Sequence, residues 1–380
     1  MDFFQKIAFI HDWLVTFGGG EQILAALSEI WPDSPIFTLI YDPHGPCREF
    51  TEGKIIQTSF LQKLPRSKRN HRAYLPLMPL AVEQFDTRSF DILISCSHAV
   101  AHGIIPGVDQ LHINYICIPI RYAWHLYQQY IKEAGLTRGQ KSVFVKLILH
   151  YIRMWDNASS NRVDKYVSIS KWVSRNVWRV YRRPSSVIYP PVDLEHFSPG
   201  GHKENFYITA SRMVPYKRID IIVEAFSTMP TKKLIVIGDG PELEKVKSKA
   251  GKNVEFLGFQ PRDDLIENMQ RARAFIFAAI EDFGILPVEA QACGTPVIAY
   301  GKGGVLETVI DGKTGLFYEE QSTECLVSAV NKFETIHEQF NPKNARQNAE
   351  RFNKERFQKE FMNLVESEWD RFLLRNSNDY

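Results

Sequence analysis

Short apolar runs separated by helical patterns recur along the second half of the chain. They fall at 206–210, 234–237, 254–257, 274–278 and 297–300, each bounded by Gly, Pro or polar residues. Mainly apolar runs of this length, containing β-branched residues and bounded by turns, suit buried strands of a parallel sheet. Helical patterns at 219–226, 242–249 and 263–270 supply the crossovers, which predicts a doubly wound α/β domain. The first half repeats the theme less regularly, with strands expected at 7–10, 36–40, 92–96, 113–118 and 166–169 and a helix at 21–30. The stiff stretch Tyr189-Pro190-Pro191-Val192-Asp193 places a join near residue 195. The expected domains are therefore 1–195 and 196–354. A long amphipathic helix follows at 355–374, its stripe formed by Phe357, Phe361, Leu364, Val365, Trp369, Phe372 and Leu373. Two such sheets are expected to face each other across a cleft lined by the carboxyl ends of their strands, where these folds bind ligands.

Composition changes this picture little. With 380 residues, 44% hydrophobic and 24% charged, the chain suits two globular domains. No apolar run approaches the roughly 18 residues of a spanning helix. The first residues lack the basic stretch and apolar core of a secretion signal. Five scattered cysteines without C-x-x-C spacing argue for a reducing compartment and against a zinc site, so a cytoplasmic location is expected. Net charge is only +2, yet the basic residues cluster. Residues 63–72 hold five Lys/Arg and no acid, and residues 132–183 hold twelve against Glu133, Asp156 and Asp164.

The candidate chemistry lies where strands lead into helices. Ala278-Ala279-Ile280-Glu281-Asp282-Phe283-Gly284-Ile285-Leu286-Pro287-Val288-Glu289-Ala290 follows an expected strand, and Pro287 suits the first turn of a helix. The uncapped amides from Phe283 through Gly284, Ile285 and Leu286 to Val288 would form an anion site suited to a diphosphate, flanked by Glu281 and Glu289. The plainer alternative is a capped helix with two surface glutamates. Arg212 and Lys217, in a second strand-to-helix turn, would offer cations to the same phosphates, while Arg218 fits a solvated turn better. Gly238 opens a third such turn. Gly18-Gly19-Gly20-Glu21 permits close backbone approach to a ligand, and Gly19 and Gly20 enter no G-x-G-x-x-G or P-loop fingerprint. His98 ends the strand at 92–96, at the mouth of the expected cleft, although a lone histidine is as often structural.

Glu281-x7-Glu289, Arg212 with Lys217, the Gly18–20 loop and the turn Gly294-Thr295-Pro296-Val297 together resemble glycosyltransferase family 4, of GT-B fold, over essentially the whole chain. Arg121-Tyr122-Ala123-Trp124, the stretch from Val187 to Asp193, and Glu289-Ala290-Gln291-Ala292-Cys293-Gly294 are similar to bacterial O-antigen and exopolysaccharide mannosyltransferases of the WbaZ type. The resemblance implies two Rossmann-like domains and a last helix, within 355–380, that crosses back onto the first. It implies Glu281 on the donor sugar, Arg212 and Lys217 on the diphosphate, and Glu289 on the ribose. The amides of Phe283 to Leu286 would bind sugar and phosphates, His98 the sugar near O6, and backbone near Phe256 the base. It further implies a retaining, same-face transfer with no enzymic nucleophile, no cofactor and no metal, and no Asp-x-Asp motif is present to hold one. GDP-mannose is the expected donor, with UDP-glucose or UDP-N-acetylglucosamine next. The acceptor is a saccharide or lipid-linked saccharide.

Other readings fit less of the chain. A glycosidase also uses two carboxylates but has no need of a phosphate site. A nucleotide-sugar epimerase of the same shape is the nearest enzymic rival. A pure polyanion- or membrane-binding protein would use the two basic stretches alone, and nucleic acid is disfavoured because no reading motif accompanies them. Phe60, Leu61, Leu64, Tyr74, Leu75, Leu77 and Met78 interleave with the basic residues at 63–72. That pattern predicts a peripheral protein on an anionic membrane surface at the cytoplasmic face.

Overall fold

The computed structural model describes residues 5–378. It divides into two compact units, one comprising the chain up to Pro190 together with the chain from Phe357 onward, the other Pro191–Arg356.

The first unit is built on seven parallel strands: β1 (Ile7–His11), β2 (Ile36–Thr38), β3 (Ile56–Thr58), β4 (Ile92–Ser97), β5 (Leu111–Ile116), β6 (Lys165–Ser168) and β7 (Ser185–Val187). Their order is β3-β2-β1-β4-β5-β6-β7. Strands β1, β4 and β5 are buried along their whole length; most of their residues are apolar, and the buried Ser95, Ser97, His112 and Asn114 hydrogen-bond to one another. The register sets Ile7 beside Ile92 and His11 beside Cys96. Order reverses between β1 and β4, so the loops leaving them diverge and open a crevice at the carboxyl edge. Edge strands β3 and β7 escape the sequence pattern because Ile-Gln-Thr and Ser-Ser-Val are short, partly polar and incompletely covered.

The last helix, Lys354–Asn378, completes this unit's core. Phe357, Phe361 and Val365 are fully buried. The Phe357 and Phe361 rings pack on Tyr115 at 5.6 and 5.8 Å, and Phe361 meets Trp31 at 6.4 Å. Gln358 Nε2 donates to the Ala26 carbonyl (3.0 Å), and Lys165 pairs with Glu368 (2.9 Å). Leu364, Trp369 and Phe372 are half-buried, whereas Leu373, expected on the stripe, is exposed. It lies roughly a third of a turn away from the line through Phe361 and Val365.

Residues 63–72 also differ from expectation. Leu61 and Met78 are fully buried, and Leu64, Tyr74 and Leu75 pack against the same core. Most apolar side chains of this stretch point inward, and only Phe60 and Leu77 among them are exposed. Lys68 pairs with Asp42 at 3.0 Å.

The second unit repeats the topology with β8 (Phe206–Ala210), β9 (Lys233–Ile237), β10 (Val254–Gly258), β11 (Ala274–Phe277), β12 (Val297–Tyr300) and β13 (Gly315–Tyr318). The order is β10-β9-β8-β11-β12-β13, all parallel, with reversal between β8 and β11. The helix Ile219–Ser227 buries Ile222, Val223 and Phe226 against Leu234, Val236 and Ile276. Strand β13, Gly315–Tyr318, opens on glycine and was not read from the sequence.

Replacing Phe361 by Ala removes a fully buried ring and should destabilise the first unit by about 3–5 kcal/mol. Met362→Ala, one residue on but solvent-facing, should stay within about 0.5 kcal/mol. Urea midpoints at unchanged m-value measure both, and equal losses would refute the stated packing of this helix.

Candidate functional site

The crevice of the first unit is organised by a carboxylate that directly follows β1. Asp12 is fully buried and accepts four consecutive backbone N–H bonds from the loop after β4. His98 and Ala99 donate to Oδ2 at 2.7 and 2.9 Å, and Val100 and Ala101 to Oδ1 at 2.6 and 2.8 Å. The His98 ring adds a contact from Nδ1 to Oδ2 at 3.1 Å. Burial pushes the Asp12 carboxyl up, but the His98 and His11 rings and the loop amides outweigh it, leaving the group below its ordinary value. Burial holds the His98 imidazole below its usual range, opposed by Asp12 and Glu21. The ring is half-buried, and the Trp13 indole stands edge-on to it at 4.5 Å.

A second histidine–carboxylate pair lies alongside. His11 Nδ1 donates to the Cys96 carbonyl (3.1 Å), which turns Nε2 toward Glu21 Oε1 at 3.7 Å. Glu21 Oε2 accepts from the Gly18 amide at 2.9 Å. The helix Gly19–Ile30 thus starts at Gly19 rather than at residue 21. Gly20 passes beside both imidazoles, since a Cβ there would sit 3.6 Å from His11 and from His98. The structure therefore brings Gly20 and His98 together, as neighbours of a polar cluster open on one side.

At the corresponding point of the second unit, the loops after β8 and β11 meet. Lys217, in the short turn Pro215–Lys217, forms an ion pair with Glu281. Arg212 is exposed, and no side-chain partner is found for it among the described residues. Arg218 turns away to Asp220 (3.1 Å) and Gln321 (3.2 Å), and Gln321 braces the Ala278 carbonyl at 2.7 Å. Gly238 follows β9 at φ +123°, where a Cβ would lie 1.9 Å from the Ser211 carbonyl oxygen. No other residue lets that turn pass so close to the Arg212 loop. The Gly238 amide donates to Gly258 at 2.7 Å, joining the ends of β9 and β10. Phe256, on β10, packs its side chain against the core and leaves its backbone at the sheet edge.

Glu281 lies in a loop and Glu289 just over one turn into the helix Ile285–Ala292. The loop is clamped from the far side. Gly304 donates its amide to the Glu281 carbonyl at 2.7 Å, and a Cβ at Gly304 would fall 2.4 Å from Phe283 Cα. Gly284 precedes the helix, and the amides of Ile285 and Leu286 belong to its first turn, where no intrahelical acceptor exists. These N–H groups with Arg212 and Lys217 suit an anion. Glu289 is buried, and its carboxyl has no hydrogen-bond partner among the described residues. Burial raises it to about 7, with Arg262 pulling down and Asp193 pushing up. An unpartnered buried carboxyl of this kind fits a ligand that brings hydroxyl donors.

Asp12, His11, Trp13, Gly303 and Gly304 were not singled out from the sequence. The usable signal was positional, because His11-Asp12-Trp13 places polar groups at the carboxyl end of the strand where order reverses.

Residues 192–352 match the family described as glycosyl transferases group 1, so the second unit carries that pattern. An uncharacterized glycosyltransferase, MJ1178 of Methanocaldococcus jannaschii, is 29% identical over 255 residues, which cover 65% of this chain and 71% of that one. The GDP-mannose-dependent alpha-(1-6)-phosphatidylinositol monomannoside mannosyltransferase of Mycolicibacterium smegmatis is 28% identical over 39% of this chain and 49% of its own. The crystal structure of Anabaena Alr3699/HepE with UDP and glucose superposes with a TM-score of 0.70 at 18% identity, covering 96% of this chain and 100% of that one. The likeness is one of fold: two parallel-sheet, Rossmann-like α/β units of the GT-B kind.

Asp12→Asn should cost roughly 1–3 kcal/mol at neutral pH, because an amide cannot accept all four N–H bonds. The folded carboxyl lies below its unfolded value, so its stabilisation is present above the ordinary carboxylate range and lost as pH falls through the folded value. Melting curves of the two proteins should converge only in acid. The His98 imidazole should titrate lower still in the variant, read by NMR. A variant as stable as the parent at pH 7 would contradict this account.

Proposed function

We propose that the protein is a retaining, metal-independent glycosyltransferase of family 4. It transfers a hexose, foremost mannose from GDP-mannose, to a saccharide or lipid-linked saccharide acceptor in polysaccharide assembly. The observation that carries this reading is the cluster where the second sheet reverses. Arg212 has no side-chain partner among the described residues, Lys217 pairs with Glu281, and the loops after β8 and β11 that carry them meet beside the clamped N-terminus of the helix Ile285–Ala292.

The roles follow from charge. Arg212, Lys217 and the first-turn amides hold the diphosphate and offset the charge that builds as it leaves. Glu281, oriented by Lys217, accepts from hydroxyls of the donor sugar, and its ion pair makes it a poor nucleophile. That fits same-face attack by the acceptor as the nucleoside diphosphate departs. Glu289 accepts from the ribose. His98, held by Asp12 in the first unit, is assigned to the sugar near O6. The GDP-mannose dependence of the Mycolicibacterium relative supports GDP-mannose, and the UDP and glucose in the Anabaena structure support a UDP-sugar as the second reading. No described helix is long and apolar enough to cross a membrane. A lipid-linked acceptor would accordingly be met by peripheral attachment at the cytoplasmic face.

Calorimetry and hydrolysis over a panel of GDP- and UDP-sugars should rank GDP-mannose first, with activity retained in EDTA. Tight UDP binding with negligible GDP binding would shift the donor to the second reading. Arg212→Ala and Lys217→Ala should each lower kcat by roughly 30- to 1,000-fold, about 2–4 kcal/mol. Glu281→Ala should affect sugar-dependent steps while sparing affinity for the bare nucleoside diphosphate, and Glu289→Ala should do the reverse. If the two behave alike, the division of roles is wrong.

The pH dependence offers a separate check. The Glu289 carboxyl is raised to about 7, so its stronger acceptor form becomes dominant as pH rises through that value. Nucleoside diphosphate affinity should therefore increase between about pH 6 and 8. Glu289→Gln should flatten this rise relative to the parent protein, and an unchanged profile would remove Glu289 from the ribose site.

A further inference from the structure

The helix Gln140–Ser159 carries two apolar faces. One packs inward through Leu149 and Ile152, with Ile148 and Trp155 half-buried beside them. The other faces solvent. Val143, Phe144, Leu147, Tyr151 and Met154 are 59, 64, 61, 46 and 61% exposed. At 100° per residue these five fall within roughly a third of the helix circumference, so they form a single outward stripe rather than scattered surface residues. A helix in contact with water on this side has no use for such a row.

The charge around the stripe points to its occupant. From Ala134 to Trp155 there is no acidic residue, while Arg138, Lys141, Lys146 and Arg153 are present. Arg153 is spent on the Ala123 carbonyl (3.1 Å), but Arg138 and Lys141 are exposed. The helix Lys171–Tyr181, which meets the buried side of the helix Gln140–Ser159, is also rich in cations. Its Tyr181 hydroxyl donates to Asp156, at the far end of the stripe-bearing helix (2.9 Å), and it displays Arg175, Trp178 and Arg179 outward. An isologous contact with a second copy would bring the exposed Arg138 and Lys141 of two copies together, with no acid between Ala134 and Trp155 to pair them. An anionic bilayer accepts both features at once, the apolar row in the acyl boundary and the cations among the headgroups.

We infer that the helix Gln140–Ser159 is the element that seats the protein on an anionic lipid surface, with Phe144, Leu147 and Met154 as its inserted side chains. The inference rests on the reading of the protein as peripheral to a membrane, and it moves the contact away from residues 63–72, whose apolar side chains are largely in the core. The full chain is to be sedimented with phosphatidylcholine vesicles, with and without phosphatidylglycerol. The comparison is with a Phe144→Ser/Leu147→Ser/Met154→Ser variant and with a variant in which Lys63, Arg66, Lys68, Arg69 and Arg72 become Ser.

All three stripe positions are exposed, so the melting temperature should not change. The parent should bind the anionic vesicles, and the stripe variant should bind about tenfold or more weakly, since loss of apolar insertion leaves only electrostatic attraction. Binding that survives in the stripe variant but is lost in the five-serine variant would overturn this inference and leave peripheral attachment standing. A parent that binds neither vesicle would overturn the membrane reading itself. A parent dimer that the stripe variant converts to monomer, without vesicle binding, would reassign the stripe to self-association.

Discussion

A buried negative charge must be answered, and at Asp12 the answer fixes the carboxyl edge of the first unit. Sequestering a carboxylate costs several kcal/mol unless hydrogen bonds and opposite charge compensate. Four successive amides from residues 98–101 and one imidazole provide that compensation. The loop after β4 therefore cannot shift without stranding the charge. His98 owes its position to this backbone arrangement as much as to its own side chain. The concave row of N–H groups is the kind of nest that ordinarily receives an external anion; here the chain supplies its own.

The second unit reaches comparable rigidity by steric means. Gly238 and Gly304 let backbone segments approach to distances at which any Cβ would collide. The loop bearing Glu281 is pressed between the Gly303-Gly304 turn and the Lys217 ammonium. Rigid loops of this kind leave a few groups deliberately unmatched. Among the described residues, Arg212 and the carboxyl of Glu289 find no side-chain partner, whereas Arg218, six residues after Arg212, is consumed by structural contacts. The difference between these residues is visible only in where their partners lie.

How much of this was legible depended on burial. Central strands such as β1, β4, β8 and β11 announced themselves because both faces are covered and most positions are apolar. Edge strands β3 and β7 answer to one neighbour and to solvent, so their composition carries little strand character. Glu281, Lys217 and Arg212 could be found because they follow apolar runs and precede helices. Asp12 satisfied the same rule but was passed over, since a single acid after a strand does not reveal the four amides waiting eighty-odd residues later. The inward course of the apolar side chains around 63–72 was not legible for a related reason. Irregular turns such as His71–Leu77 send neighbouring side chains to opposite sides without a period that can be read.

The distribution of the first unit over both ends of the chain bears on how the protein is made. Its core awaits Phe357, Phe361 and Val365, while the second unit is continuous in sequence and can close as soon as it has been synthesised. At ribosomal rates of roughly 5–20 residues per second, the first sheet stands with the Tyr115 side uncovered for about ten to thirty seconds after Pro190 emerges. During that interval, apolar surface destined for the last helix is open to chaperones or to other nascent chains. The order of completion thus inverts the order of synthesis, and the polypeptide's earliest strands are the last to be sealed.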